Sequence, residues 1–317
     1  MDIVHSFCFQ ENKVTWLYAE RHNRVLTVRR AEESLLPIMI NAENLERSAT
    51  AIQVANHLTT LAREYDLQVR QGLFLLSPKF ALVRPVVVDK SLPSQLQPDY
   101  PRQEMLQTLT LPEDEYLIYV PQYERENNGY LLKLAIALNI QLYRFFQRVV
   151  EESGWQVNHI GLSSFALDAL YRATYPDLTG QSLLVNFTER GYELTLVDEN
   201  GFLDVFYRPY SRNIESIERL EEEAILSNFD AMLEDIQRPE PLVHPKYNIA
   251  HILVFGSYFR PEWKDMLISQ TTIPIQIFDL SQLGNWQLVF DDPDLSAETA
   301  FRFIEPIAQI IAGDIDS

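Results

Sequence analysis

The sequence predicts an α/β protein of two lobes arranged in tandem. Three observations carry that prediction. Two stretches, over residues 4–30 and 183–208, read as three-strand meanders joined by short polar turns. Each meander is followed by helical periodicity and then by a short apolar run of the kind that makes a buried strand. A proline-rich stretch interrupts the first half and reads as a small insertion. At 317 residues, 46% of them hydrophobic, the chain is long enough to fill two cores.

In order, residues 4–9 form an apolar strand, Gln10, Glu11, Asn12 and Lys13 a turn, and residues 14–20 the return strand. His22 and Asn23 then turn the chain into a third strand over 24–30. Leu45, Ala49, Ile52, Ala55, Leu58 and Leu61 step by three or four, which places a helix over 45–65. Strands are expected at 73–76 and 81–88. Four further prolines between 89 and 112 mark the inserted subdomain, set at about 73–120. Strands at 116–120 and 130–138 flank a polar turn containing Asn127, Asn128 and Gly129. A helix over 140–152 follows, with Leu142, Phe145, Phe146 and Val149 on one face and Gly154 placed to end it in a left-handed conformation. A strand at 157–162 and a helix capped by Ser164 and running to Tyr175 complete the first lobe, 1–175.

The second lobe, 176–317, repeats the layout. Strands at 183–187, 192–198 and 202–208 are joined at Arg190-Gly191 and at Glu199-Asn200-Gly201, the latter a hairpin signal. A long acidic helix is expected over 214–236, its stripe of Ile214, Ile217, Leu220, Ala224 and Met232 facing the core. A rigid extended linker carrying Pro239, Pro241 and Pro245 follows, so the helix and linker together span about 213–248. A buried strand at 249–255, a helix at 261–269, a strand at 275–278 and a terminal helix at 297–312 finish the chain.

Composition removes several classes of function. A formal net charge of −19 disfavours wrapping nucleic acid or lying on an anionic membrane, and favours a basic partner segment. Cys8 is the one cysteine, so neither a disulfide nor a cysteine metal cluster forms within the chain, and a buried packing role is expected for it. His5, His22, His57, His159, His244 and His251 are scattered, none paired at metal-ligand spacing on a helix. The first nine residues lack the basic start of a secretory signal, and the apolar stretch 131–146 is broken by Lys133 and Arg144 and is too short to span a bilayer. A cytoplasmic location is expected. Neither a nucleophile elbow, a His-Glu-x-x-His helix nor a Walker loop is present.

A duplicated three-strand meander with crossover helices resembles the ribonuclease H-like unit of the actin, Hsp70 and sugar-kinase superfamily, and most of all the PilM family of type IV pilus assembly. The resemblance covers nearly the whole chain and implies a two-lobed actin-like (duplicated ribonuclease H-like) α/β fold with a small inserted subdomain. That family carries Asp-Ile-Gly-Ser-Ser-Ser-Val-Lys in its first hairpin. The matching stretch here is Cys8-Phe9-Gln10-Glu11-Asn12-Lys13-Val14-Thr15, which keeps only the valine. The second hairpin of the family reads Asp-Ile-Gly, against Asn186-Phe187-Thr188-Glu189-Arg190 here, and the adenosine-side Ser-Gly-Gly-Gly is met by Phe255-Gly256-Ser257-Tyr258. Residues 85–96, Glu152-Ser153-Gly154-Trp155 and Pro176-Asp177-Leu178-Thr179-Gly180 follow the family's layout more closely.

The losses matter because a phosphate loop needs converging backbone N–H groups, and glycine supplies both the shape and the close approach. Gln10 and Thr188 put side chains there, and Cys8 and Asn186 remove two carboxylates that would serve hydrated magnesium. At roughly 1.5–3 kcal/mol for each lost charge-assisted contact, two or three losses carry a micromolar site toward millimolar or weaker. The degenerate positions are therefore Gln10, Glu11, Lys13, Asn186, Thr188, Glu189, Gly256 and Ser257. Among them Glu11 and Glu189, together with Asp198, are the carboxylates available as substitutes, and Lys13 is the cation available to a phosphate. Charges at turns and strand ends are usually solvated.

Two functions follow. The first is a noncatalytic scaffold with no cofactor, a pseudo-ATPase that docks a cytoplasmic segment of a membrane-anchored partner and reaches the membrane only through that partner; homo-oligomers are compatible with it. The alternative is an ATP-binding protein with a rearranged phosphate and magnesium site.

Overall fold

The computed structural model describes residues 2–67, 69, 71–93, 95–127, 130–211, 216–238, 247–281 and 283–315. Contacts divide the chain into two compact units: Met1–Leu35, Arg70–Ser77 and Val157–Ser317 in the first, Leu36–Val69 and Pro78–Gln156 in the second.

The chain opens with β1 (Asp2–Phe9), β2 (Lys13–His22) and β3 (Val25–Leu35), the expected meander with a longer third strand. A short α1 (Ala42–Leu45) precedes α2 (Ser48–Glu64), which occupies the helix expected over 45–65. Asn41 caps α1 through its side chain. After the break at Glu46 and Arg47, α2 buries Ala51, Val54, Ala55, Leu58, Leu61 and Ala62, which include Ala55, Leu58 and Leu61 of the expected stripe. Ala49, expected in that stripe, is exposed. Then come β4 (Gln71–Leu76), β5 (Ala81–Asp89), α3 (Tyr100–Leu106), β6 (Tyr116–Tyr119), β7 (Glu124–Asn127), β8 (Tyr130–Asn139) and α4 (Ile140–Ser153). Gly154 ends α4 at φ +70°, as its position predicts. The turn at Asn128 and Gly129 lies outside the described residues.

After β9 (Gln156–Leu162), α5 (Ser163–Thr174) starts one residue before Ser164, which therefore sits inside the first turn instead of capping it. The second meander is β10 (Gln181–Phe187), β11 (Gly191–Asp198) and β12 (Gly201–Pro209), with Gly201 at φ +119° in its turn. The acidic helix is shorter than expected. A 3-10 turn over Ile217–Arg219 precedes α6 (Glu222–Gln237). Its buried face is Ile225, Phe229, Met232, Leu233 and Ile236, leaving only Met232 of the expected stripe within the helix's core face. Ile214 and the linker prolines Pro239, Pro241 and Pro245 lie outside the described residues. The chain ends through β13 (Ile249–Phe255), α7 (Trp263–Ile268), β14 (Ile275–Ile277), β15 (Gln287–Phe290) and α8 (Ile304–Ile315).

The first unit holds two sheets, ordered β15-β3-β2-β1-β4-β9 and β12-β11-β10-β13-β14. With β15 set aside, each sheet places the strands of its half in the order third, second, first, fourth, fifth, so the duplication is one of topology. In both, the first strand pairs antiparallel with the second and parallel with the fourth. Cys8 and Asn186 fall at the same place, one residue before the end of the first strand of their halves.

The structure redraws the expected boundaries in three places. Gln71–Leu76, assigned by sequence partly to the insertion, pairs in parallel with β1 and belongs to the six-stranded sheet. In the second unit β5, β6 and β7 instead pair with β8, which puts Tyr130–Asn139 in the inserted sheet and beyond the expected limit of 120. The C-terminal segment, assigned to the second lobe, returns to the first sheet. There β15 pairs with β3, and α8 packs on β1, β2 and β4 while α5 packs on β11 and β12. The helices α5 and α8 also pack on each other, so one apolar cluster runs from Cys8 and Leu17 through Leu170 and Ile307 to Val185 and Phe255.

Candidate functional site

Three chain reversals of the first unit meet: the β1–β2 turn, the β10–β11 turn and the turn after β13. Asn12 donates through its side-chain amide to the Glu189 carboxylate, and Lys13 donates to Ser257 Oγ. Gly256 lies against the end of β10. It has φ +109°, and a Cβ there would stand 2.2 Å from Asn186 Oδ1 and 2.8 Å from Phe187 O. This is the one glycine of the expected adenosine-side motif that remains, and it is required by backbone shape and by space alike.

The residues singled out by sequence thus gather, but their polar groups are engaged with one another. Gln10 N–H donates to Lys13 O at 2.9 Å, and Thr188 N–H to Gly191 O at 3.0 Å. Thr188 Oγ1 also donates to Gly191 O, and the Tyr210 hydroxyl donates to Thr188 O at 2.9 Å. Gly256 N–H donates to Phe301 O at 3.1 Å. Asn186 Nδ2 donates to Glu193 Oε2 at 3.0 Å, and the same carboxylate accepts from Ser77 Oγ. Glu11 is half-buried on the first turn.

Two sequence expectations are corrected here. Lys13, expected to be solvated, is only 5% exposed. Its ammonium is 3.6 Å from Glu33 and 4.3 Å from the Tyr258 ring centroid, and burial pulls its pKa down against the opposing pull of Glu33. Asp198, considered as a substitute ligand, is at the far end of β11, roughly 24 Å along the strand from the turn. There it accepts from the Asn200 amide at 2.8 Å and serves the β11–β12 turn.

Beneath the turns lies a layer of buried charge that sequence did not single out. Glu305, at the start of α8, accepts from Cys8 Sγ at 3.5 Å, and full burial raises its pKa, with Ser163, Cys8, Lys13 and Asn186 each pulling the other way. Burial and the nearby Glu305 and Glu193 carboxylates push the Cys8 thiol up, so it stays protonated. Arg302 pairs with Glu33 at 2.8 Å, completing a chain Arg302–Glu33–Lys13–Ser257. A signal for Glu305 exists in the sequence: one carboxylate in the otherwise apolar run Ile304-Glu305-Pro306-Ile307-Ala308. Glu193 has the same signature within Tyr192-Glu193-Leu194.

These groups do not fit a magnesium triphosphate. The three turn amides above are taken up by backbone carbonyls, and the one buried cation is already matched to Glu33 and Ser257. Carboxylates crowd the turns: Glu33, Glu189 and Glu218 act on Tyr258, and Glu305 lies buried near Lys13. Among the described residues no group of three or more His, Cys, Asp and Glu side chains is placed to hold a metal ion. Among them, too, no helix is long and apolar enough to cross a membrane.

No protein-family model and no curated protein sequence matches the chain. Solved structures do. A PilM–PilN type IV pilus biogenesis complex contains a chain with a TM-score of 0.71 at 13% identity, the match covering 98% of this chain and 96% of that one. The cytoplasmic domain of EpsL, an inner-membrane component of the Vibrio cholerae type II secretion system, matches with a TM-score of 0.50 at 10% identity, covering 99% and 95%. The fold is therefore the two-lobed actin-like α/β fold, and at these identities the likeness is one of fold.

Proposed function

We propose that the chain is a noncatalytic actin-like scaffold that docks a short cytoplasmic segment of a membrane-anchored partner in a pilus or secretion-type assembly. The observation that carries the noncatalytic part is the engagement of the turn residues with one another, Asn12 with Glu189 and Lys13 with Ser257. The likeness to PilM and to the EpsL cytoplasmic domain supports the assembly context.

A surface suited to docking is present in the second unit. In the sheet of β5, β8 and β6, alternation sends Val86, Val88, Ala135 and Ala137 to a core shared with Met105 of α3. The opposite face carries Val87 (56% exposed), Leu117 (38%) and Tyr119 (63%), in register with Leu132, Leu138 and Ile136, and Tyr130 (48%) at the start of β8. An apolar face of this kind, on a chain of net charge −19, suits an apolar segment with basic flanks.

The test is affinity purification from cells of the wild type and of a V87D/Y119D variant. Recovery of a membrane-anchored protein by the wild type and its loss with the variant supports docking. Recovery of none, or equal recovery by both, defeats it. Calorimetry with magnesium ATP decides the other half. Heat of binding at micromolar concentration establishes a rearranged nucleotide site in place of the noncatalytic reading, and no binding up to millimolar supports the scaffold.

A further inference from the structure

We propose that Lys13 is a resident counter-ion that clasps the two sheets of the first unit together, supplying from the chain itself the positive charge that the surrounding carboxylates require. This goes beyond the docking reading and holds whichever partner binds.

Four observations on different elements converge on it. Lys13 opens β2, yet only 5% of it is exposed, so its ammonium is desolvated, which is costly unless it is paired. Its partners come from elements distant in sequence: Glu33 of β3 at 3.6 Å, Ser257 Oγ and the face of Tyr258 at 4.3 Å after β13. The contact with Ser257 and Tyr258 joins the six-stranded sheet to the five-stranded one. Third, several carboxylates act in its neighbourhood: Glu33, Glu189 and Glu218 on Tyr258, and the buried Glu305, which feels the Lys13 charge. Arg302, a second cation there, is bound to Glu33. Lastly, Asn12 beside it makes a second bridge to Glu189, so the first turn is held at two adjacent points.

A cation held on a side chain differs from a diffusible one in a way that bears on mechanism. Its effective concentration is fixed by the fold, so closure needs no ligand and does not respond to nucleotide supply. The clasp keeps the two sheets as one body, a fixed platform in place of an opening and closing cleft.

The experiment compares K13A, K13R and wild type by thermal melting and by amide hydrogen exchange. K13A is expected to lower the melting midpoint by on the order of 5–10 °C and to raise exchange at residues 9–14 and 255–259 above the remaining strands. Adding n-propylammonium, the fragment that the substitution deletes, restores the midpoint of K13A more than sodium chloride of equal ionic strength and leaves wild type unchanged. K13R, which keeps the charge, retains most of the protection. Unchanged exchange at both turns in K13A, or recovery no greater with n-propylammonium than with sodium chloride, overturns the proposal. Should K13A fail to fold, the S257A/Y258L variant keeps the charge but removes its partners on the second sheet. Raised exchange at residues 9–14 in that variant supports the clasp, and wild-type exchange there refutes it.

Discussion

Replacing Asp204 by asparagine is expected to remove a large part of the chain's loss of stability between pH 5 and pH 8. Asp204 lies in β12, is 3% exposed, and accepts from the Tyr247 hydroxyl at 2.5 Å and from the Val205 amide at 2.8 Å. Burial raises its pKa from 3.8 to about 7, outweighing those two hydrogen bonds and the attraction of Arg208. A carboxyl whose folded pKa lies above its unfolded one binds more protons when folded between the two values. Its contribution is therefore complete at low pH and is lost as pH rises through about 7. With those two pKa values, the linkage relation gives a loss of about 2.5 kcal/mol between pH 5 and pH 8 from this residue alone. Urea unfolding at both pH values, for wild type and D204N, measures it. Asparagine keeps an acceptor for the Val205 amide, and the Tyr247 hydroxyl can rotate to accept from the new NH₂. Comparing the two proteins also cancels the titration of surface carboxylates. Equal pH dependence in wild type and D204N would refute the reasoning.

Gly256→Ala is expected to destabilise by about 3–4 kcal/mol, because φ +109° is denied to alanine and the new Cβ meets the β10 backbone; denaturant unfolding measures the loss. Gly154→Ala should cost only about 1 kcal/mol by the same assay, since φ +70° is strained but nothing lies within 4 Å of the added carbon. Cys8, buried and with its thiol pKa pushed up, should resist alkylation by iodoacetamide in the native protein at pH 8 and react once denatured, as mass spectrometry of the modified chain would show. Rapid native alkylation would mean that β1 opens locally far more readily than its packing implies.

Local chemistry made much of the architecture legible. The meanders, the Asn200-Gly201 turn, the Gly154 stop and the strand at 249–255 all follow from signals within a few residues, and the structure has each. The misses are of two physical kinds. Where periodicity ran through a break between Leu220 and α6, the helix restarted in another phase, whereas after the break at Glu46 and Arg47 the helix keeps Ala55, Leu58 and Leu61 of the expected stripe and exposes Ala49. Where a segment is short or polar, as in β7 and β15, the strand exists because of its pairing partner, β8 or β3. The site divides in the same way. Sequence located the three turns and the loss of their glycines and aspartates. It left Lys13 as a solvated turn charge, took Asp198 as a neighbour of the turn, and passed over Glu33, Glu193, Arg302 and Glu305.

By itself, then, the sequence determined the two meanders, most of the helices and strands that follow them, and the depletion of phosphate-binding residues, because turn chemistry, alternation and helical spacing act between near neighbours. Only the tertiary structure decided that α8 and β15 return to the first sheet and that the ammonium of Lys13 meets Ser257 and Tyr258, some 240 residues away in the chain. Burial and charge pairing are properties of the packed surroundings, and those surroundings are assembled from segments that carry no record of one another in their local sequence.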